Sequence, residues 1–186
     1  AAFELQHHAR LITRATLPIV TDGATVPGVR ILVGESAATR ALGLTNDSFA
    51  HQEYLIRFLP DTLVLMGRDA DLRGRVDYDY LTNPAAAGTW ISNFSEQGTM
   101  YAVYDFLEQH GGVRWINPTD FGTQHPRSAT LTVKGAGLRR RPAMLFRGGS
   151  AAGNTGIGMG YGDAARYQYG GGLWRRETEA ARAYIA

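Results

Sequence analysis

The stretch at residues 98–116 constrains the fold more than any other, because it joins a helical pattern directly to a strand pattern. Four apolar side chains recur at the spacing i, i+3, i+4 and i+7, which places them on one face of a helix. They are Met100, Val103, Tyr104 and Leu107. Tyr101, Asp105 and Glu108 fall on the opposite side. The pattern predicts an amphipathic helix with one core face and one solvated polar face.

Both ends of this helix carry stop signals. Ser95 and Glu96 offer an N-cap hydroxyl and a first-turn carboxylate, and the glycine pair at 111–112 suits a left-handed C-cap. Residues 113–116 then form a short β-type run that Pro118 closes, since proline cannot donate to a strand ladder. The stretch therefore predicts one helix–turn–strand unit.

The remaining turn, cap and strand signals predict further elements on both sides of this unit. Before it we expect a helix at 1–14, an edge strand at 17–20, a strand at 29–33, a short helix capped by Ser36, and a hairpin of 54–59 with 62–66 that turns at Pro60 and Asp61. After it we expect a loop at 120–128, a strand at 131–133, a basic connection at 139–142 and a strand at 143–146. The aspartate-rich stretch at 68–94 is predicted to be a peripheral loop.

These elements predict an α+β fold, an α/β sandwich whose mixed, largely antiparallel sheet carries helices on one face. Glycines become dense after residue 147, and the composition changes there. We therefore predict a first domain at residues 1–141 and the start of a second at 142–186.

Composition and charge exclude several classes of function. The chain has 186 residues, and 44% of them are hydrophobic, enough for a packed core. The absence of cysteine excludes disulfides and thiolate metal sites. A formal net charge of +2 is too small to indicate a nucleic-acid-binding domain. No apolar run approaches the ~20 residues of a membrane span.

Several candidate sites have a functional and a structural interpretation. The glycines at 156–160 fit a flexible loop better than a phosphate-binding turn, because their spacing matches neither nucleotide fingerprint. His7 and His8 are adjacent, which favours surface histidines over the i, i+4 pair of a zinc helix. Asp77 and Asp79 lack the glycine and glutamate of a calcium loop, which favours a solvated loop.

Catalytic candidates are weaker still. Asp105 and Glu108 have the i, i+3 spacing of an acid–base pair, but a solvated helix face is commoner. Trp115 fits either a sugar-stacking platform or, preferably, core packing. No nucleophile–histidine–carboxylate set and no cofactor or metal site can be assembled, so the residues alone stop short of a reaction.

A resemblance extends this interpretation. Residues 98–108, followed by Gly112-Val113-Arg114-Trp115 and Pro118, resemble the N-terminal α/β domain that precedes the barrel in α-glucuronidases, β-hexosaminidase-like enzymes and related bacterial proteins. Residues 31–36, 52–56 and 63–67 look like the strands of that domain, and the likeness covers about residues 1–147. The long stretch at 68–94 is an insertion relative to this pattern.

The resemblance implies a non-catalytic accessory domain followed by the start of a (β/α)8 barrel at residues 142–186. The parent protein would be an exported bacterial glycoside hydrolase, extracellular or periplasmic, and its partner would be a carbohydrate bound by the downstream barrel. Residues 143–146 would be the first barrel strand, so Arg147 at its end is the substrate-binding candidate. The alternative is a stand-alone carbohydrate-binding or adhesion module that uses the 68–94 stretch as its contact surface.

Overall fold

A computed structural model describes residues 1–70, 96–116 and 122–142 of the chain. The elements follow in the order α1 (Ala2–Thr13), β1 (Arg30–Val33), α2 (Ala37–Ala41), a 3-10 turn (Asn46–Ser48), β2 (Tyr54–Leu59), β3 (Thr62–Gly67), α3 (Gly98–Gln109), β4 (Arg114–Trp115), β5 (Thr123–Gln124) and β6 (Leu138–Arg140). The chain divides into two units, and the first consists of Ala1–Asp69, Glu96–Arg114 and His125–Ala143. Of the second unit, the structure describes residues 70, 115–116 and 122–124.

The main sheet of the first unit has four strands in the order β1-β3-β2-β6. β1 runs parallel to β3, whereas β2 runs antiparallel to both β3 and β6. The β2–β3 hairpin closes at Leu59 and Thr62, with Pro60 and Asp61 as its two-residue turn. The predicted α+β fold with a mixed sheet is therefore confirmed, as is the hairpin. Strands β4 and β5 form a separate two-stranded sheet.

Helix α3 packs across one face of this sheet, on β2 and β3. Its predicted core residues Val103, Tyr104 and Leu107 are at most 1% exposed. The opposite side of α3 is not solvated as predicted: Tyr101 is only 4% exposed, and its ring meets the Tyr54 ring at 6.4 Å between centroids. Packing of α1 on α3 adds to this burial. The helix is therefore a central core element rather than an amphipathic surface helix.

The second face of the sheet has its own apolar cluster. Because side chains alternate along a strand, Val64 and Met66 point away from α3. They pack with Leu44 and Phe49 from the segment between α2 and β2. Both faces of β3 are thus covered, which explains why all six of its residues are buried.

The ends of α2 and α3 confirm two predicted cap signals and contradict a third. Ser36 caps α2 as predicted, in a reciprocal capping box with Thr39. Gly112 takes the left-handed conformation at φ 67°, and the Val113 N–H donates to the Leu107 carbonyl, as the predicted glycine stop requires. The predicted start is wrong in one respect, because Glu96 bonds to distant residues rather than to the first turn of α3.

Four predicted elements differ from the structure. Residues 17–20 and 131–133 form no strand, and the predicted loop at 120–128 contains β5. The predicted basic connection at 139–142 overlaps β6. β6 pairs with β2 through the backbone, and its arginines form ion pairs there, Arg139 with Glu53 and Arg140 with Asp105. The predicted strand at 143–146 and the predicted barrel segment, apart from Pro142, lie outside the described residues. Within the described ranges, no helix is long and apolar enough to cross a bilayer.

Truncation of Leu107 tests the central position of α3. Its side chain is fully buried, so we expect Leu107→Ala to lower the free energy of unfolding by about 2–5 kcal/mol through lost contacts and the cavity left behind. Gln109→Ala, at an exposed position on the same helix, is the control and should change stability by no more than about 0.5 kcal/mol. Urea titration followed by circular dichroism measures both. Equal midpoints for the two variants would contradict the assignment.

Candidate functional site

The richest cluster of polar side chains in the described chain surrounds Glu96, just before α3. Its Oε1 lies 2.5 Å from His51 Nδ1 and 3.5 Å from Arg68 Nε, and its Oε2 accepts a hydrogen bond of 2.6 Å from the Gln52 backbone N–H. One carboxylate thus binds an imidazole, a guanidinium and a backbone amide. We call His51, Gln52, Arg68 and Glu96 the Glu96 cluster.

The contact with Glu96 sets what His51 can do. When Nδ1 carries the proton that the carboxylate accepts, Nε2 presents a lone pair, which is the arrangement of a carboxylate-oriented general base. The His51 side chain is 43% exposed, so solvent reaches it. Within the described ranges, however, no serine or threonine hydroxyl bonds to His51. The cluster therefore contains an oriented base without a bound nucleophile.

Gln52 carries two unfavourable features. Its backbone lies in the left-handed region at φ 55°, a conformation that costs a non-glycine residue roughly 1 kcal/mol. Its side chain is fully buried, and neither Nε2 nor Oε1 has a hydrogen-bond partner among the residues described. The bond from its N–H to Glu96 holds the backbone in place and offsets part of this cost.

Asp69 forms a second polar contact at the start of α3. Its Oδ1 accepts from the Thr99 N–H at 2.9 Å, and its Oδ2 accepts from the Thr99 hydroxyl at 2.5 Å. The Asn46 side chain bonds both the N–H and the carbonyl of Asp69. Asp69 therefore caps α3 from a distance of 30 residues in sequence. Burial raises the pKa of the Asp69 carboxyl above its usual value, although the bonds from Thr99 oppose this shift.

The third polar contact joins β6 to the start of β2. Arg139 Nη2 lies 2.8 Å from Glu53 Oε2, and it also donates to the Ser48 carbonyl. The guanidinium stacks on Phe49, 4.8 Å from the ring centre. Hydrogen bonding to Arg139 lowers the pKa of Glu53, and the same bond raises the pKa of Arg139.

The acidic residues of α3 do not form a free acid–base pair. Asp105 accepts a hydrogen bond of 3.0 Å from the Tyr54 hydroxyl and lies 3.3 Å from Arg140 Nη1. Its side chain is only 10% exposed, so the predicted solvated position is wrong for this residue. Glu108 is half-buried, and its carbonyl accepts from Arg114. Asp105 thus links α3 to β2 and β6.

The histidine pair on α1 also differs from the prediction. His8 is fully buried, and its Nε2 lies 2.9 Å from Glu4 Oε1, one turn earlier on the same helix. His7 is half-buried and meets the His8 ring edge-on.

Trp115 is half-buried on β4. In residues 1–70, 96–116 and 122–142, no group of three or more histidine, aspartate or glutamate side chains has the arrangement of a metal site.

The other sequence candidates lie outside the described residues. They are Arg147, the aspartates Asp77 and Asp79, and the glycines at 156–160. Sequence patterns missed His51, Gln52 and Asp69, because their partners are between 30 and 45 residues away along the chain and no local spacing links them.

Comparisons with known proteins assign the chain to no family. No family model matches the chain, and neither a curated protein nor a solved structure is significantly similar to it.

Removal of the Asp69 carboxylate tests its capping role. We expect Asp69→Ala to cost about 1–3 kcal/mol, because the Thr99 N–H and hydroxyl lose their acceptors, whereas Asp69→Asn keeps one acceptor and costs less.

The pH dependence of stability tests the raised pKa of Asp69. The raised pKa favours the folded state below the usual value of 3.8, and this advantage is lost as the pH rises through the folded-state pKa. The melting temperature of the Asp69→Asn variant should therefore increase relative to that of wild type as the pH rises above 3.8. A constant difference between the two melting temperatures across this pH range would contradict the raised pKa.

Glu53→Gln should show the opposite pH dependence. Since Arg139 lowers the folded-state pKa of Glu53, its stabilisation is present above the usual value of 4.5 and is lost as the pH falls through the folded-state pKa. Both side chains are partly exposed, so we expect a loss of at most about 1 kcal/mol above pH 5 that becomes smaller as the pH falls below 4.5. Melting curves across this range measure it. Asp47→Asn, at a 93% exposed carboxylate, is the control.

Proposed function

We propose that this chain is the non-catalytic N-terminal accessory domain of a glycoside-hydrolase-type protein. The full protein would be an exported bacterial enzyme that acts on polysaccharide or glycoside. The resemblance of residues 98–108 and 112–115 to the domain that precedes the barrel in α-glucuronidases and β-hexosaminidase-like enzymes supports this proposal. In this chain those residues form α3 and the start of the next strand.

The observation that carries the non-catalytic role is the engagement of the carboxylates around α3. Asp69 binds Thr99, Glu96 binds the other members of its cluster, and Asp105 binds Tyr54 and Arg140. A glycosidase needs two carboxyl groups placed on either side of a sugar and free to exchange protons. Carboxylates that hold helices and strands together are poorly suited to glycosidic-bond cleavage. Their contacts therefore favour a structural, non-catalytic role for this domain.

The substrate contact belongs to the proposed downstream barrel. If residues 143–146 are its first strand, Arg147 stands at the C-terminal end, where barrel enzymes collect their active-site residues. Its guanidinium offers a rigid set of donors to sugar hydroxyls or to a uronic carboxylate. Arg147 lies outside the described residues, so its role is part of the proposal.

Hydrolysis assays on two chain lengths test the proposal. The full-length gene product and the 186-residue chain are incubated with nitrophenyl glycosides of N-acetylglucosamine and glucuronic acid, and with polysaccharide substrates. We expect turnover only by the longer protein, with kcat/KM reduced at unchanged melting temperature by Arg147→Ala. Turnover by the 186-residue chain would overturn the accessory role. A gene product that ends near residue 186 and retains binding on a glycan array would favour the stand-alone module instead.

A further inference from the structure

An open cleft lies where the segment before β1 passes the turn of the β2–β3 hairpin. Its volume is about 450 Å³, within the range of roughly 300–1,000 Å³ that is usual for small-molecule sites. Its lining includes Thr25, Val26 and Arg30 from the chain that leads into β1, and Pro60 and Asp61 from the hairpin turn. All of these residues belong to the first unit. We call this feature the Arg30–Asp61 cleft.

The two charged residues of the cleft are adjacent but unpaired. The Arg30 N–H donates to the Asp61 carbonyl at 2.9 Å, which fixes their backbones side by side. Both side chains are exposed, yet neither makes an ion pair or a side-chain hydrogen bond with any residue that the structure describes. A guanidinium and a carboxylate therefore both remain available at the same opening.

Asp61 is a common type of turn residue, but it takes a left-handed backbone conformation here. Its φ of 51° lies in the left-handed region, and the second residue of a turn that begins with proline strongly favours glycine there. Aspartate tolerates this conformation at some steric cost. Glycine would serve the turn better, so the carboxylate itself is the feature that aspartate adds.

We propose that the Arg30–Asp61 cleft binds a neutral, hydroxyl-rich molecule of the size of a mono- or disaccharide. A sugar hydroxyl can accept a hydrogen bond from a guanidinium and donate one to a carboxylate, so neighbouring hydroxyls satisfy both side chains together. One positive and one negative side chain leave no net charge to select an ion. Val26 and Pro60 offer apolar surface to the C–H groups of the ring.

The existence of the Arg30–Asp61 cleft follows from its geometry, whereas the choice of saccharide probes rests on the proposed function. The ¹⁵N-labelled 186-residue chain is titrated with xylobiose and with N,N′-diacetylchitobiose, and glycine serves as a zwitterionic comparison. We expect saccharide-induced amide shifts centred on residues 25–30 and 60–62. Because no hydrolysis is measured, failure of this titration is distinct from failure of the accessory-domain assay.

Two variants locate the contact. Asp61→Gly removes the carboxylate while relaxing the turn, so its melting temperature should equal or exceed that of wild type while saccharide affinity falls at least about tenfold. Arg30→Gln should lower affinity similarly. Arg57→Gln, an exposed arginine on β2 that does not line the cleft, is the matched control and should bind as wild type. Absence of saccharide shifts, shifts that persist in both cleft variants, or shifts with glycine alone would each overturn the proposal.

Discussion

The first unit depends on one close approach between two backbones. A Cβ atom built on Gly67, at the end of β3, would lie 2.5 Å from the Gly98 carbonyl carbon, and one built on Gly98 would lie 2.5 Å from the Arg68 nitrogen. Both distances are too short for any side chain. The start of α3 can therefore pack against the end of β3 only because both residues are glycine. The Gly98 N–H donates to the Arg68 carbonyl at 2.7 Å and completes the junction. This contact positions α3, and α3 positions the core.

The polar side chains around the junction hold the two ends of the 71–95 stretch together. Asp69 and Gln97 form an antiparallel bridge, and Asp69 also binds Thr99. Glu96 pairs with Arg68 across the same gap. Since these contacts bring the chain back to within one strand spacing of where it left, the sheet and α3 do not need the intervening residues to connect them. An insertion is therefore sterically acceptable at this point, whatever its role.

Local patterns in the sequence predicted the elements that are set by local chemistry. The hairpin turn at Pro60 and Asp61, the Ser36 cap and the glycine stop at 111–112 were all correct, because each depends on the conformational preference of one or two neighbouring residues. The errors share a different cause. β6 and the burial of Asp105 depend on partners more than 30 residues away, and residue spacing carries no information about such contacts. For the same reason the Glu96 cluster and the Arg30–Asp61 cleft were not predicted.

Among residues 1–70, 96–116 and 122–142, three non-glycine residues have a positive φ, and the fold accounts for two of them. Arg14 terminates α1, where its N–H bonds to the Arg10 carbonyl, so a helix end accounts for it. Gln52 is fixed by the bond from its N–H to Glu96, so the junction beside α3 accounts for it. Asp61 has only the turn, which glycine would form at lower cost, and its carboxylate serves no contact in the described fold. The Asp61 carboxylate and the Arg30 guanidinium, which pairs with none of the described residues, are therefore the two groups on which the proposed ligand recognition rests.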